Sequence, residues 1–161
     1  MGKGIGLRPA AIQQKGDEVT FEKLLADLLI ATSASRVTLR LARPGEVFPV
    51  VAEALAPGTP SITSGVSPDL TRAPTMRYLA EHHANLIQDD CANAEVPPPP
   101  ELLEFYGVKA QMLAPIVGGS ELIGLVSVHY TPSPRHWTSE EIDALDRTAD
   151  EIELALDKGT G

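Results

Sequence analysis

The chain has one cysteine, Cys91, in 161 residues, so no disulfide can form within it and a reducing, cytoplasmic setting is expected. Aromatic residues make up only 4% of the chain while 43% is hydrophobic, so the core must be built mainly from aliphatic side chains. That content suits one domain. No Lys/Arg cluster interrupts the acidic balance: thirteen basic residues stand against twenty-two acidic ones, a net charge of -9. A nucleic-acid phosphate surface is therefore disfavoured. No apolar run approaches the roughly 20 residues that span a bilayer. The first residues lack the apolar stretch of a signal peptide, and Gly6 stands where a myristoylation motif needs Ser or Thr. No membrane partner is expected.

Several kinds of chemistry are missing as well. There is no H-x-x-x-H or C-x-x-C spacing, and the neighbouring His82 and His83 would point about 100° apart on a helix. No metal site is expected. Gly118-Gly119 lies between two strand-like runs rather than before a helix, so it is not a phosphate loop. Ser33, Ser35, Ser61 and Ser64 lack a nucleophile-elbow context. The expectation is a protein that is not an enzyme.

What is present is a pattern of strands and helices. Gln111 to Val117 and Glu121 to Tyr130 are rich in Val, Leu and Ile and are separated by Gly118-Gly119-Ser120, a hairpin signal. The second run is apolar on both faces, which predicts a central strand covered on both sides. Upstream, Thr20 is a candidate N-cap for FEKLLADLLIATSA, whose Phe21, Leu24, Leu25, Leu28 and Leu29 share a helical face. RVTLRL from Arg36 to Leu41 alternates as a strand, and Arg43-Pro44-Gly45-Glu46 turns the chain into a second strand, Val47 to Leu55. Ala56 to Pro74 holds four of the fourteen prolines and predicts a loop over the sheet. A short helix over Thr75 to His83 and a strand over Asn85 to Asp90 follow. Cys91 to Pro100, ending in four prolines, is expected to be loop or polyproline backbone. Glu101 to Tyr106 predicts a helical turn closed by Gly107. Finally Thr138 and Glu141 form a capping-box pair ahead of a stripe made by Ile142, Leu145, Ala149, Ile152 and Leu156.

From about Phe21 to Asp157 this order resembles the GAF domain family. YLAEHHANLIQDD is similar to the family's short helix and following strand, FYGVKAQMLAPI to its helix-to-strand entry, ELIGLVSVHY to its strand carrying Gly124, and WTSEEIDALDRTADEIELAL to its closing helix. The resemblance implies an α+β fold related to PAS domains. Its central antiparallel sheet has about six strands, with the terminal helices on one face and short helices and loops over a pocket on the other. The expected organisation is a flexible arm over residues 1–17, a single GAF domain over 18–158 and a tail over 159–161.

The resemblance also implies a function. The chain is expected to be a stand-alone sensory or regulatory module that binds a small organic ligand and signals through a separate output protein or by self-association. A homodimer through the terminal helices is expected. The implied ligand-binding residues are Thr75, Met76, Tyr78, Asp89, Asp90, Cys91, Phe105, Ser127 and His129. Read from the residues alone, Met76 and Phe105 suit core filling, and Asp89 and Asp90 suit turns or caps. Cys91 beside two carboxylates should have its thiolate disfavoured, and it is followed by Ala92 rather than the His typical of bilin-attaching GAF proteins. No covalent bilin is expected. A structural or dimerisation domain with an empty pocket is the alternative. A thiol enzyme resembling free methionine-(R)-sulfoxide reductases is a distant third, with Cys91 as its catalytic candidate, since no resolving disulfide can form internally. The signature of cyclic-nucleotide-binding GAF domains is not evident.

Overall fold

The structure is a computed structural model that describes residues 20–160; the arm expected over 1–17 lies outside the described residues. Helix α1 (Phe21–Thr32) starts at Thr20, whose hydroxyl accepts a hydrogen bond from Lys23 N–H at 3.1 Å. Such a cap stabilises a helix by about 1 kcal/mol. Ser33 ends the helix in left-handed backbone, φ 52°, with its N–H bonded to Ile30 and Leu29 carbonyls. Then come β1 (Arg36–Leu41), β2 (Val50–Leu55), α2 (Pro74–His82), β3 (Leu86–Gln88), a one-turn 3-10 helix at Cys91–Asn93, α3 (Pro100–Glu104), β4 (Ala110–Gly118), β5 (Glu121–Tyr130) and α4 (Ser139–Thr160).

The strands form one antiparallel sheet in the order β2-β1-β5-β4-β3. Among the described residues five strands are present where about six were expected, and the proline-punctuated segment between β2 and α2 forms turns, as its composition predicted. β2 begins three residues later than predicted: Phe48 has φ 47° and Pro49 lacks an N–H, so neither continues a ladder. β3 is also shorter than predicted. Pro115 sits in β4 past the end of β3, where β4 has a strand neighbour on one side only.

One sheet face carries the main core. Val37 and Leu39 of β1, Val126 and Val128 of β5, and Ala110, Met112, Ala114 and Ile116 of β4 meet Leu24, Leu25 and Leu28 of α1 and Leu145, Ala149 and Ile152 of α4. The capping box is realised in both directions: Thr138 N–H donates to Glu141 Oε1 at 2.9 Å, and Glu141 N–H to Thr138 Oγ1 at 3.2 Å. Val117 N–H, at the β4 irregularity, donates to Glu153 Oε2 of α4 at 2.9 Å. Buried Trp137 donates from Nε1 to the Gln88 carbonyl at 3.2 Å, and the Arg135 guanidinium lies over both its ring and that of Tyr130. These contacts fix the segment that leads into α4. Among the described residues no helix is long and apolar enough to cross a membrane.

Gly124 is required by a close approach. A Cβ there would lie 2.4 Å from the Arg40 carbonyl oxygen and 2.7 Å from Leu41 Cδ2. The β1 backbone leaves no room for any side chain.

Candidate functional site

Strand alternation sends the opposite residues to the second face, and on this face they are mostly polar. β1 contributes Arg36, Thr38 and Arg40; β2, Glu53; β5, Leu125, Ser127 and His129; β4, Gln111 and Leu113; β3, Leu86 and Gln88. Cross-strand register places Arg36 opposite His129 and His129 opposite Gln111, with Thr38, Ser127 and Leu113 forming the next row. The segments 56–73 and 91–107 roof this face, which explains why side chains suited to a wet surface are buried. Arg36 and Gln111 are fully buried, and His129 is 2% exposed.

Burying charge and polarity is costly unless partners are supplied. Arg36 donates from Nε and Nη2 to the Pro60 carbonyl (3.2 and 2.8 Å), and its Nη1 lies 3.0 Å from His129 Nδ1. Its guanidinium also lies 3.9 Å from Glu53 and over the Tyr106 ring. Glu53 in turn accepts from Ser61 Oγ at 2.6 Å and from Ile62 N–H at 2.9 Å. The Tyr106 hydroxyl reaches the carbonyls of Ile62 and Val66. The roof is thus bonded to the sheet through one buried ionic cluster. Arg40 donates to the Phe48 carbonyl at 2.9 Å.

The electrostatics follow from this packing. Burial first, then the charges of Arg36 and Arg40, depress the His129 pKa to about 3, so its imidazole is neutral. Arg36 and Arg40 are themselves lowered by burial, opposed by Glu53. Cys91 is raised to about 12 by burial and then by Asp90; the sequence reading gave the direction, but burial outweighs the neighbouring charge.

Between the sheet and its roof lies a cavity of about 20 Å³, room for one or two waters. Arg40, Thr75, Gln111, Ser127 and His129 face it among aliphatic walls that include Ile62, Leu70, Met76, Leu102, Leu113 and Leu125. Of the residues named from the sequence, Thr75, Met76, Ser127 and His129 line this cavity. Tyr78, Asp89 and Asp90 line a separate groove at the β3 edge. Asp89 binds His136 Nδ1 at 2.9 Å and Asp90 binds Asn93 Nδ2 at 2.8 Å, the roles of turn residues. Tyr78 packs against the His82 ring. Cys91 is buried in another cluster, with Ile62, Leu102, Tyr106 and Val108. Phe105 is 55% exposed and does not line the cavity. Among the described residues no group of three His, Cys, Asp or Glu side chains could hold a metal.

The sequence reading missed Arg36, Arg40 and Gln111. Their signal was the i, i+2, i+4 polar set of RVTLRL, which on an ordinary amphipathic strand marks the solvent face. Two arginines on a strand followed by a long proline-punctuated roof could have marked a buried polar layer instead.

A single antiparallel sheet with its first and last helices paired on one face, and a roofed polar cavity on the other, defines the class as a compact α+β domain. The GAF domain family matches residues 18–156, so the chain belongs to that family. A relative in Synechocystis sp. bearing the name of a methyl-accepting chemotaxis protein, sll0041, is 28% identical over 144 residues; these span 88% of this chain and 14% of that protein. Among solved structures, the chain is similar to the GAF domain of the cyanobacteriochrome TePixJ, from Thermosynechococcus elongatus, at 25% identity and a TM-score of 0.75, covering 94% of this chain and 97% of that one. A far-red absorbing dark state with bound biliverdin is similar at 23% identity and a TM-score of 0.69, covering 88% and 89%.

Proposed function

We propose that this GAF domain is a sensory module that binds a small organic molecule in the cavity between the polar sheet face and its roof. The observation that carries this reading is the convergence of Arg40, Thr75, Gln111, Ser127 and His129 on one aliphatic-walled cavity, the pattern of a ligand site. The chemotaxis name of the relative and the cyanobacteriochrome neighbours support a signalling role. Thr75, Met76, Ser127 and His129 are the proposed contacts from the original set, joined by Arg40 and Gln111; Tyr78, Asp89 and Asp90 form a secondary groove.

The sheet supplies a route for the signal. Ser127 and His129 alternate along β5 with Val126 and Val128, which pack against the helical layer. A displacement of β5 by a ligand is therefore felt by α1 and α4. Ile30 of α1 and Leu154 of α4 are 77% and 59% exposed, apolar surface suited to a homodimer through the terminal helices or to a separate output protein. The single buried thiol suits a cytoplasmic setting.

Covalent attachment of a bilin does not fit this site. Cys91 does not line the cavity: it packs in one cluster with Ile62 and Leu102 of the cavity wall, 2% exposed, with its thiol held protonated. The same facts speak against a thiol enzyme using Cys91. One observation favours a second reading, a dimerisation domain with an empty pocket: the cavity is far smaller than the roughly 300 Å³ and more of ordinary ligand pockets. A thermal-shift panel of metabolites separates the two. Saturable stabilisation that is weakened by Ser127→Val supports the sensory reading; no stabilisation by any compound supports the empty scaffold.

A further inference from the structure

The polar layer contains two hydrogen-bond chains that start on opposite roof segments and end at two residues of the cavity lining. The first starts at the Pro60 carbonyl, which accepts from Arg36. Arg36 has only donors, so at 3.0 Å its Nη1 donates to His129 Nδ1. In the neutral ring the remaining proton is then on Nε2. The second chain starts at the Val96 carbonyl, which accepts from Gln88 Nε2 at 2.6 Å. Gln88 must therefore present Oε1 to Gln111, whose Nε2 donates to it at 2.8 Å. That fixes the amide orientation of Gln111 and leaves its Oε1 as the end of the chain. This oxygen is buried and has no hydrogen-bond partner among the described residues.

The two ends are complementary and belong to neighbouring residues, since Gln111 and His129 are cross-strand partners that both line the cavity. One end is a donor, His129 Nε2–H, and the other an acceptor, Gln111 Oε1. A hydroxyl group satisfies both at once, accepting from the histidine and donating to the amide. A buried acceptor left without a donor costs roughly 1–3 kcal/mol, which makes this position selective for a group that can donate.

A charge lies on the same cavity wall. Arg40 is 8% exposed, and among the described residues no carboxylate lies within ion-pair distance of it. Glu53, the nearby carboxylate, is bonded to Ser61 and Ile62 and pairs with Arg36 at 3.9 Å. Two buried guanidinium groups thus share one carboxylate beside a neutral imidazole. Within this set of three the excess is one positive charge, and Arg40 is the member that reaches the cavity; Glu46 and Asp69 stand with Arg40 around a neighbouring pocket, and neither forms an ion pair with it.

We propose that the ligand of this site is a compact hydroxylated monoanion of the hydroxycarboxylate class, its carboxylate on Arg40 and its hydroxyl bridging His129 Nε2 and Gln111 Oε1. The proposal rests on the ligand-binding reading above. The cavity size requires the molecule to be small, and Met76, whose unbranched side chain adapts readily, together with Leu70 forms the wall that gives way.

The test uses three probes matched in size on the full chain, followed by titration calorimetry and thermal shift: glycolate, acetate, which lacks the hydroxyl, and glycolamide, which lacks the charge. Glycolate at about one hundred times its Kd is expected to raise the melting temperature by roughly 5–10 °C. Acetate is expected to bind about ten-fold more weakly, and glycolamide to produce no shift. Gln111→Leu should make glycolate and acetate equivalent, Arg40→Met should abolish both, and Arg40→Lys should retain part of the binding. Glycolamide binding as well as glycolate, or acetate equalling glycolate in the unmodified protein, overturns the proposal without needing any variant to fold. If all three probes fail while an uncharged metabolite stabilises the protein, this assignment falls and the ligand-binding reading stands. If the metabolite panel fails too, both fall, and the gap between His129 and Gln111 is filled by water alone.

Discussion

His129 should make the stability of this domain depend on pH. Its pKa is depressed in the folded protein from 6.5 to about 3. Below 6.5 the unfolded chain takes up a proton that the folded protein refuses. The unfolded state then binds more protons, so stability rises with pH across this window. Put the other way, the contribution is complete above about pH 6.5 and is lost progressively as the pH falls toward 3. Each unit is about 1.4 kcal/mol, so between pH 7 and pH 4.5 this group alone removes about 2.5 kcal/mol. His82, His83 and His136 are exposed, and carboxylates contribute a background slope of their own. The comparison is therefore with His129→Gln, which can still accept from Arg36 and does not titrate. Urea unfolding followed by the fluorescence of Trp137, the single tryptophan and 1% exposed, should show a wild-type slope steeper than that of the variant by that amount. Parallel slopes in the two proteins would refute the reasoning, because they would mean that the imidazole is free to protonate.

Three further predictions concern the polar layer, the sheet beneath it and the buried thiol. Glu53→Gln leaves Arg36 and Arg40 without a carboxylate and should destabilise the fold by about 2–4 kcal/mol in urea; a change below 0.5 kcal/mol, about the scatter of exposed substitutions, would show that the cluster is solvated. Gly124→Ala drives a Cβ into the Arg40 carbonyl and should cost about 1–3 kcal/mol, read as a lowered denaturation midpoint with an unchanged m-value. Cys91, with its pKa raised to about 12, should resist thiol reagents at pH 7 until the chain unfolds; fast labelling of the native protein would remove the buried-thiol account and reopen covalent chemistry at that position.

The strongly periodic elements were legible from the sequence. β5 has its predicted bounds because ten residues of apolar and β-favouring side chains end at a Gly-Gly turn on one side and a proline-containing segment on the other. α4 was legible because its capping box and stripe agree. The site was legible only in part. Thr75, Met76, Ser127 and His129 reach the cavity since their elements were placed correctly, and alternation then fixes the face. Asp89 and Asp90 fall elsewhere because β3 stops at Gln88 and leaves them in the groove at the sheet edge, while Cys91 turns inward to pack with Tyr106 and Val108. Phe105 falls outside because α3 ends at Glu104 and turns it to solvent, while Tyr106 goes in. Arg36, Arg40 and Gln111 were hidden for a different reason. Strand alternation says which residues share a face, but whether that face is wet depends on a roof formed by segments with no periodicity of their own.

The central claim, that the roofed polar face holds a small molecule, is tested most directly by native mass spectrometry of the purified full chain set against its denatured mass. The account predicts a small non-covalent adduct on each subunit, lost on denaturation and absent from Arg40→Met, with the stoichiometry reporting the dimer. A bare subunit mass that glycolate and the metabolite panel leave unchanged would contradict it, as would an adduct that survives denaturation.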